Sequence, residues 1–342
     1  MQIFRLLVFF FKNFTKKNSI YFIVFICLFL VITGAGLFLL FEYNPEKTFE
    51  KNVMDSIWWA IVTMTTIGYG DIYPRTLSGR IVAVPLMIFG IGFIGMFIGM
   101  LTTNIFSKRM KAMKGLLSYN LKNHIVICGW NQTKVDIIIK EIRQSSGLKS
   151  KEIILVNNVL QENPYHSTDK VYFVKGSQSD MEVLKRASVD NSSQAIVISD
   201  ASETNPDDTT ILTVLLIESL NREVFTCAEL LDVKKMDLLR NANCDEIVAA
   251  TDFSAKLLVQ SIEDPGLSSL VNELLTHEQG AQIDSYRLGE EFESVPFINV
   301  LYQIYEKKGW LVIGIKQRET LLVHPDKEVV VHAGDIAYYI HK

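Results

Sequence analysis

Thr66-Ile67-Gly68-Tyr69-Gly70 is suited to one kind of chemistry, and that chemistry uses the backbone. Successive carbonyls of such a run can point to one side, and the threonine adds a hydroxyl. A ladder of these oxygens replaces the water around a dehydrated cation. Alternate residues must then adopt backbone angles that a Cβ resists, which suits glycine at positions 68 and 70. Thr63 precedes the run and Asp71 follows it, and long apolar stretches flank it at Ile20–Phe41 and Ile81–Phe106.

Carboxylates form a second candidate set. Asp200 and Glu229 follow two expected strands, with Ser199 beside the first and Leu231 and Asp232 just beyond the second. Glu203, Asp207 and Asp208 offer further oxygens on the loop after Asp200. Calcium takes several hard oxygens, best from two or more carboxylates on converging loops. The same residues also read as helix caps and solvated loop carboxylates. A third candidate, a phosphate cradle at Gly129-Trp130-Asn131-Gln132-Thr133-Lys134, keeps only the first glycine of the dinucleotide fingerprint. The next strand ends Val156-Asn157-Asn158, without the acidic residue that holds a ribose hydroxyl. A dinucleotide is therefore not expected, and an oxidoreductase reading falls with it.

The elements that position these residues follow from patterning. Ile20–Phe41 carries no charge, and at 1.5 Å per residue it reaches about 33 Å, enough to cross a bilayer. No small-x-small cleavage site follows it, so a retained span is expected rather than a signal peptide. Arg5, Lys12, Lys16 and Lys17 precede the first span, and Lys108, Arg109, Lys111 and Lys114 follow the second. Both flanks then face the cytoplasm, and the segment bearing Glu42, Glu46, Glu50 and Asp55 faces outside. Ile3–Phe14 reads either as an interfacial helix in the lipid headgroup layer or as an extension of the first span. Asn52–Thr65 has helical character. No arginine ladder occurs in the membrane part, so no voltage sensor is encoded there.

Charged residues make up 21% of the 342, although mean hydropathy is positive, which suits a membrane part joined to an ordinary soluble part. The net charge of −4 gives no basic field for nucleic acid. The four cysteines form no CxxC pair, so neither a zinc site nor a disulfide framework is indicated. From residue 122 onward the pattern alternates. Strands are expected at His124–Gly129, Glu152–Val156, Val171–Val174, Ala195–Ile198, Val224–Ala228 and Glu246–Ala250. Helices are expected at Val135–Arg143, Met181–Ala187, Thr209–Leu220 and Val233–Asn241. This is a doubly wound α/β sheet. Ser254–Thr276 reads as two helices broken at Asp264-Pro265-Gly266, with an apolar stripe of Leu257, Leu258, Ile262, Leu267, Leu270, Val271 and Leu274. The tail, 282–342, reads as a small α+β unit with a helix at Phe297–Tyr305 and strands at Leu311–Lys316 and Asp335–Ile340.

The run Thr63–Asp71 between two spans resembles the potassium-channel selectivity filter, and the Rossmann-like part resembles the RCK domain, the regulator of potassium conductance. Ala228-Glu229-Leu230-Leu231-Asp232 and Leu238-Leu239-Arg240-Asn241-Ala242 are typical of RCK sequences. The resemblance implies a two-span, calcium-gated type of channel: an α-helical pore module at 20–106, a linker at 107–121, a Rossmann-like domain at 122–253, a crossover at 254–281 and a C-terminal subdomain at 282–342. Residues 1–19 would be a cytoplasmic or interfacial N-terminus.

It also implies potassium ions held by Thr66, Ile67, Gly68, Tyr69 and Gly70 in a homotetramer, with Trp58, Trp59, Thr63 and Asp71 supporting the filter. Gly90 takes the place of the gating hinge, for which small-residue packing is the alternative, and Gly92, Gly95 and Gly99 read rather as packing residues. Val62 stands where some relatives place a glutamate, so a carboxyl brace to Asp71 is not expected. The calcium positions of the family fall at or beside Asp200, Glu229 and Asp232, giving a candidate metal set. RCK domains pair, and eight would form a gating ring; Met110 or Met113 would be starts for a separate soluble chain. The alternatives are a nucleotide-regulated channel and a regulatory subunit of a potassium transporter, which would itself conduct nothing.

Overall fold

The computed structural model describes residues 19–165, 169–199, 204–276, 280–318 and 320–341; for residues 19–22 and 104 only the backbone is described. The expectation for Ile3–Phe14 lies outside these residues, as do Asp200 and Glu203. The chain divides into two units, Met1–Met110 and Lys111–Lys342.

The first unit holds three helices: α1 (Ser19–Glu42), α2 (Phe49–Met64) and α3 (Leu77–Met113). α1 and α3 are long and apolar enough to cross a membrane. An apolar surface on every side, as on α1, is what a lipid environment favours. The shorter α2 starts at Thr48, whose hydroxyl caps the Lys51 N–H, and ends at Thr65. It is wedged between the other two: Trp59 and Ala60 pack with Ala35 and Phe38 of α1 and with Ala83 and Leu86 of α3. Pro85 lies inside α3 without ending it.

α3 runs seven residues beyond Phe106, because nothing from Ser107 to Met113 breaks a helix. The rest of the expected linker belongs to the second unit. The Met113 carbonyl accepts from the Asn163 N–H at 2.8 Å, and the Gly115 carbonyl accepts from the Lys175 N–H at 2.9 Å and from Arg186.

In the second unit, β1 (Ile125–Cys128), β2 (Ile153–Asn157), β3 (Val171–Lys175), β4 (Gln194–Val197), β5 (Phe225–Leu230) and β6 (Glu246–Ala249) form a parallel sheet, in the order β3-β2-β1-β4-β5-β6. The order reverses between β1 and β4, where a crevice opens at the carboxyl ends of the strands. Alternation sorts the core. Ile125 and Ile127 face α4 (Gln132–Gln144), with Val135, Ile139 and Ile142. Val126 and Cys128 face the other layer. That layer includes Val183 and Leu184 of α5 (Met181–Arg186), Val214 and Ile217 of α6 (Pro206–Leu220) and Leu239 of α7 (Met236–Asn241).

Several boundaries differ from expectation, among them α4, which begins at Gln132, three residues before Val135. α6 begins at Pro206, three residues early, because proline suits a first helical turn. Val233–Lys235 is a 3-10 turn before α7. The crossover helix α8 (Ala250–Glu263) begins directly after β6, four residues before Ser254.

α8 turns at Asp264–Gly266 into α9 (Leu267–Leu275), and neither helix has a residue buried by the chain itself. The tail adds the sheet β10-β9-β12-β7, from β7 (Gln282–Arg287), β9 (Leu311–Gln317), β10 (Thr320–Val323) and β12 (Ile336–His341). A two-stranded ribbon pairs β8 (Val295–Pro296) with β11 (Val330–Val331). α10 (Phe297–Lys308) packs Phe297, Val300 and Ile304 against Val312, Ile315 and Ala337. Four of these strands, β7, β8, β10 and β11, went unread in the sequence.

Candidate functional site

The pore loop begins where α2 runs out of helical hydrogen bonds. The Thr66 N–H donates to the Thr63 carbonyl at 3.1 Å, and the Ile67 and Gly68 N–H groups fold back onto the Val62 carbonyl at 3.1 and 3.4 Å. Donors are thus spent on the helix end. Among the described residues no donor of the chain reaches the carbonyls of Thr66 to Gly70.

The backbone alternates in hand: φ is +62° at Thr66, +58° at Gly68 and +75° at Gly70, while Ile67 and Tyr69 are not positive. A chain that alternates this way lines up peptide carbonyls that an ordinary strand would point to opposite sides. Glycine occupies two of the three left-handed positions, and Thr66 bears the strain at the third.

Trp58 and Trp59 have different duties. The Trp58 ring lies parallel to Tyr69, with centroids 6.0 Å apart, and its Nε1 donates to Asp71 Oδ2 at 2.9 Å. An indole N–H therefore ties Asp71 down where Val62 offers no carboxyl. Trp59 turns away and stacks on Phe38 at 4.2 Å, so within the chain it braces the outer helix and not Tyr69. Gly90 lies against α2: a Cβ there would stand 3.0 Å from Met64 Cγ and 3.2 Å from its Cα. Around Gly92, Gly95 and Gly99 that position is open within the chain.

Several groups at the crevice of the soluble unit are engaged by the chain itself. Gly129 has φ +94°, and a Cβ on it would meet the Ile198 carbonyl at 2.4 Å, so this glycine serves strand packing. Asn131 Oδ1 accepts from the Lys134 N–H at 3.1 Å and caps α4, the place where a bound phosphate would do so. Asn157 spends its Oδ1 on the Leu160 N–H at 2.9 Å. Asn157 Nδ2 and Gln178 Oε1 are buried without partners among the described residues. With an asparagine cap and no ribose carboxylate, the residues present do not fit a dinucleotide.

The candidate metal residues do not assemble among the described residues, where no group of three His, Cys, Asp or Glu could hold a metal ion. Glu229 Oε2 accepts from the Ser199 N–H at 3.0 Å, and its Oε1 is in close contact with the Lys134 ammonium. Asp232 turns back to cap the Lys234 N–H at 3.0 Å. Buried Asp207, which sequence reasoning treated only as a spare oxygen, holds the β5 exit through the Leu231 and Asp232 N–H groups, both at 2.9 Å. Sequence reasoning missed the pairing of Glu229 with Lys134, a cation in the first turn of α4 where the fingerprint has its third glycine.

A helical membrane unit with a hand-alternating loop, followed by a six-stranded doubly wound sheet, defines the class: a membrane pore joined to a soluble regulatory domain. Residues 25–107 match the ion channel family, and residues 120–228 match the RCK domain of the calcium-activated, slowpoke-like potassium channels. Its two units thus match, one after the other, an ion channel family and an RCK domain; it is a membrane protein and not an enzyme.

It is 27% identical to the calcium-gated potassium channel TvoK of Thermoplasma volcanium, over 92% of this chain and 89% of the other. It is 28% identical to the putative potassium channel protein YugO of Bacillus subtilis, over 89% of each. Among solved structures, the human SLO3 gating ring matches 64% of this chain with a TM-score of 0.52 at 19% identity, and the GsuK channel matches 94% with a TM-score of 0.50 at 18%. The chain spans only 44% and 57% of those two structures, so the likeness concerns fold.

Proposed function

We propose that the protein is a potassium-selective channel of the cell membrane, a homotetramer with both termini in the cytoplasm. Potassium ions pass through the carbonyls of Thr66, Ile67, Gly68, Tyr69 and Gly70. The observation that carries this reading is the alternation of φ at Thr66, Gly68 and Gly70 beside carbonyls that no donor among the described residues reaches. Four such loops offer a dehydrated ion a cage of peptide oxygens. α2 points its C-terminal end, with its partial negative charge, toward the same loop, which favours a cation there. Lipid surrounds α1 and α3.

The RCK domains form a cytoplasmic gating ring. The helices α8 and α9, with Leu258, Ile262 and Leu270 exposed, pair one RCK domain with another, and eight domains close the ring. A ligand shifts this ring only through its differential affinity for the open and closed forms. The ligand is a divalent cation such as calcium, as the name of the Thermoplasma relative suggests, and Glu229 is its contact. Gly90 is the hinge at which α3 bends.

Planar-bilayer recording of the purified protein tests the reading. Under a potassium–sodium gradient the reversal potential should lie close to that of potassium. Calcium on the cytosolic face should raise open probability, less so in Glu229→Gln. Equal sodium and potassium permeability would reject the filter, and an unaltered calcium response in Glu229→Gln would reject Glu229 as a contact.

A further inference from the structure

The run expected to be a linker is fastened where α3 stops. Gly115 closes the helix: its N–H donates to the Ala112 carbonyl at 3.1 Å, and the Leu116 N–H donates to the Lys111 carbonyl at 2.9 Å, the pattern of a glycine stop. Gly115 is buried, with φ +65°. A Cβ there would stand 2.5 Å from the Lys175 backbone nitrogen and 2.7 Å from Phe173 Cδ1, so only glycine lets the turn lie this close to β3. The turn is gripped from several sides. The Met113 carbonyl accepts from the Asn163 N–H at 2.8 Å, and the Asn163 side chain donates in turn to the Val171 carbonyl of β3 at 2.9 Å. The Lys175 N–H donates to the Gly115 carbonyl at 2.9 Å. Arg186, the last residue of α5, donates from Nη2 to that same carbonyl and from Nη1 to the Lys175 carbonyl at 3.3 Å. Its own carbonyl accepts from the Tyr119 N–H at 2.9 Å. A guanidinium offers these donors as a fixed fork.

We propose that Gly115 and Arg186 form a latch through which the soluble domain moves α3 directly. A slack tether over residues 107–121 would transmit only tension, and its whole length would set the response. Here α3 stays helical through Met113 and is held at Met113 and Gly115. Displacement of β3 and α5 therefore enters α3 at that turn, and residues 116–121 carry none of it. Arg186 is a positioning residue: it touches no ion and acts by holding the helix end. The inference rests on the reading of the protein as a gated channel.

The full-length protein distinguishes a latch from a tether. A Gly-Gly-Gly insertion after Lys108 lies before the latch, and the same insertion after Leu117 lies beyond it; both lengthen the run equally. Open probability is recorded in bilayers without divalent cations and with calcium chloride on the cytosolic face. The insertion after Lys108 should shift it by about fivefold or more in at least one condition, and the insertion after Leu117 in neither. Arg186→Met should shift it in the same direction as the insertion after Lys108. A smaller shift from the insertion after Lys108, or a shift of that size from the insertion after Leu117, overturns the proposal. Trypsin cleavage after Lys114 in detergent, followed by mass spectrometry, reads the latch without any current. It should be about tenfold or more faster in Arg186→Met, which loses charged hydrogen bonds, and in Gly115→Ala should the first variant fail to fold. Lys185→Met, at an exposed neighbour whose ammonium pairs with Glu182, should be cleaved like wild type. Cleavage at the wild-type rate in Arg186→Met and Gly115→Ala also overturns the proposal. If neither wild type nor any variant passes current, the channel reading fails, and the cleavage rates alone decide the latch.

Discussion

Gly68→Ala isolates the backbone demand of the pore loop. Gly68 has φ +58°, and nothing lies within 4 Å of the Cβ that alanine would add within the chain. The substitution therefore costs conformation, not space. An L-residue held in the left-handed region costs about 1–2 kcal/mol. In the proposed tetramer four copies meet around one pore, so the cost is about 4–8 kcal/mol per tetramer if each subunit keeps its shape. The cheaper response is for residue 68 to leave that region, which turns a carbonyl out of the ladder. Each 1.4 kcal/mol is a factor of ten in preference between ions. Reversal potentials under opposed potassium and sodium gradients should therefore show selectivity falling by at least tenfold. Gly92→Ala is the control: it also has an open Cβ position within the chain, but it lies inside α3 and should leave selectivity alone. Potassium selectivity in Gly68→Ala equal to that of wild type would refute the argument from handedness.

Three further outcomes follow from contacts within the fold. Trp58→Phe keeps a ring against Tyr69 but removes the donor to Asp71 Oδ2; about 1.5 kcal/mol or less per subunit is lost, and the tetramer should dissociate at a lower temperature on heating. Gly90→Ala drives a methyl to 3.2 Å from the Met64 backbone, an overpacking cost of about 1–3 kcal/mol, so the unfolding midpoint of the purified channel should drop. Glu218, buried in α6, has its carboxyl pushed above the ordinary range by burial, with Asp245 adding to the rise and the Thr226 hydroxyl and Arg222 opposing it. A carboxyl raised in the fold favours folding most at low pH. That advantage is lost as pH climbs from the unfolded value through the folded one. Glu218→Gln should therefore stabilise the protein at neutral pH and flatten the pH dependence of its unfolding in that window. An unchanged pH profile in thermal unfolding would count against the role of Glu218.

The reach of sequence reasoning differed from element to element. The membrane helices and the six parallel strands were legible because burial on all sides leaves continuous apolar runs, as in Ile125–Cys128 and Ile153–Val156. The hand-alternating loop was legible because glycine at 68 and 70 marks a backbone demand rather than a packing one. Trp58 and Trp59 were read as one pair, although neighbouring helical residues point about 100° apart; within the chain Trp58 lies against Tyr69 and Trp59 against Phe38. The tail strands β7 and β10 are mostly exposed, so alternation had little to reveal. The pairing of Lys134 with Glu229 left no mark on the sequence. It arises only once the sheet order leaves β4 alone between β1 and β5, and a lysine in a damaged fingerprint reads as mere loss of glycine until then.

The unoccupied carbonyls of Thr66 to Gly70 have one more implication. In a fourfold arrangement their partial negative charges converge on a common axis, and no donor among the described residues offsets them. The travelling ion is then also the mortar of the wall it passes through. Preparing the tetramer in buffer without potassium, rubidium or a similar ion should loosen the loop before any helix melts, and a subunit assembly that holds in potassium should come apart sooner in sodium alone.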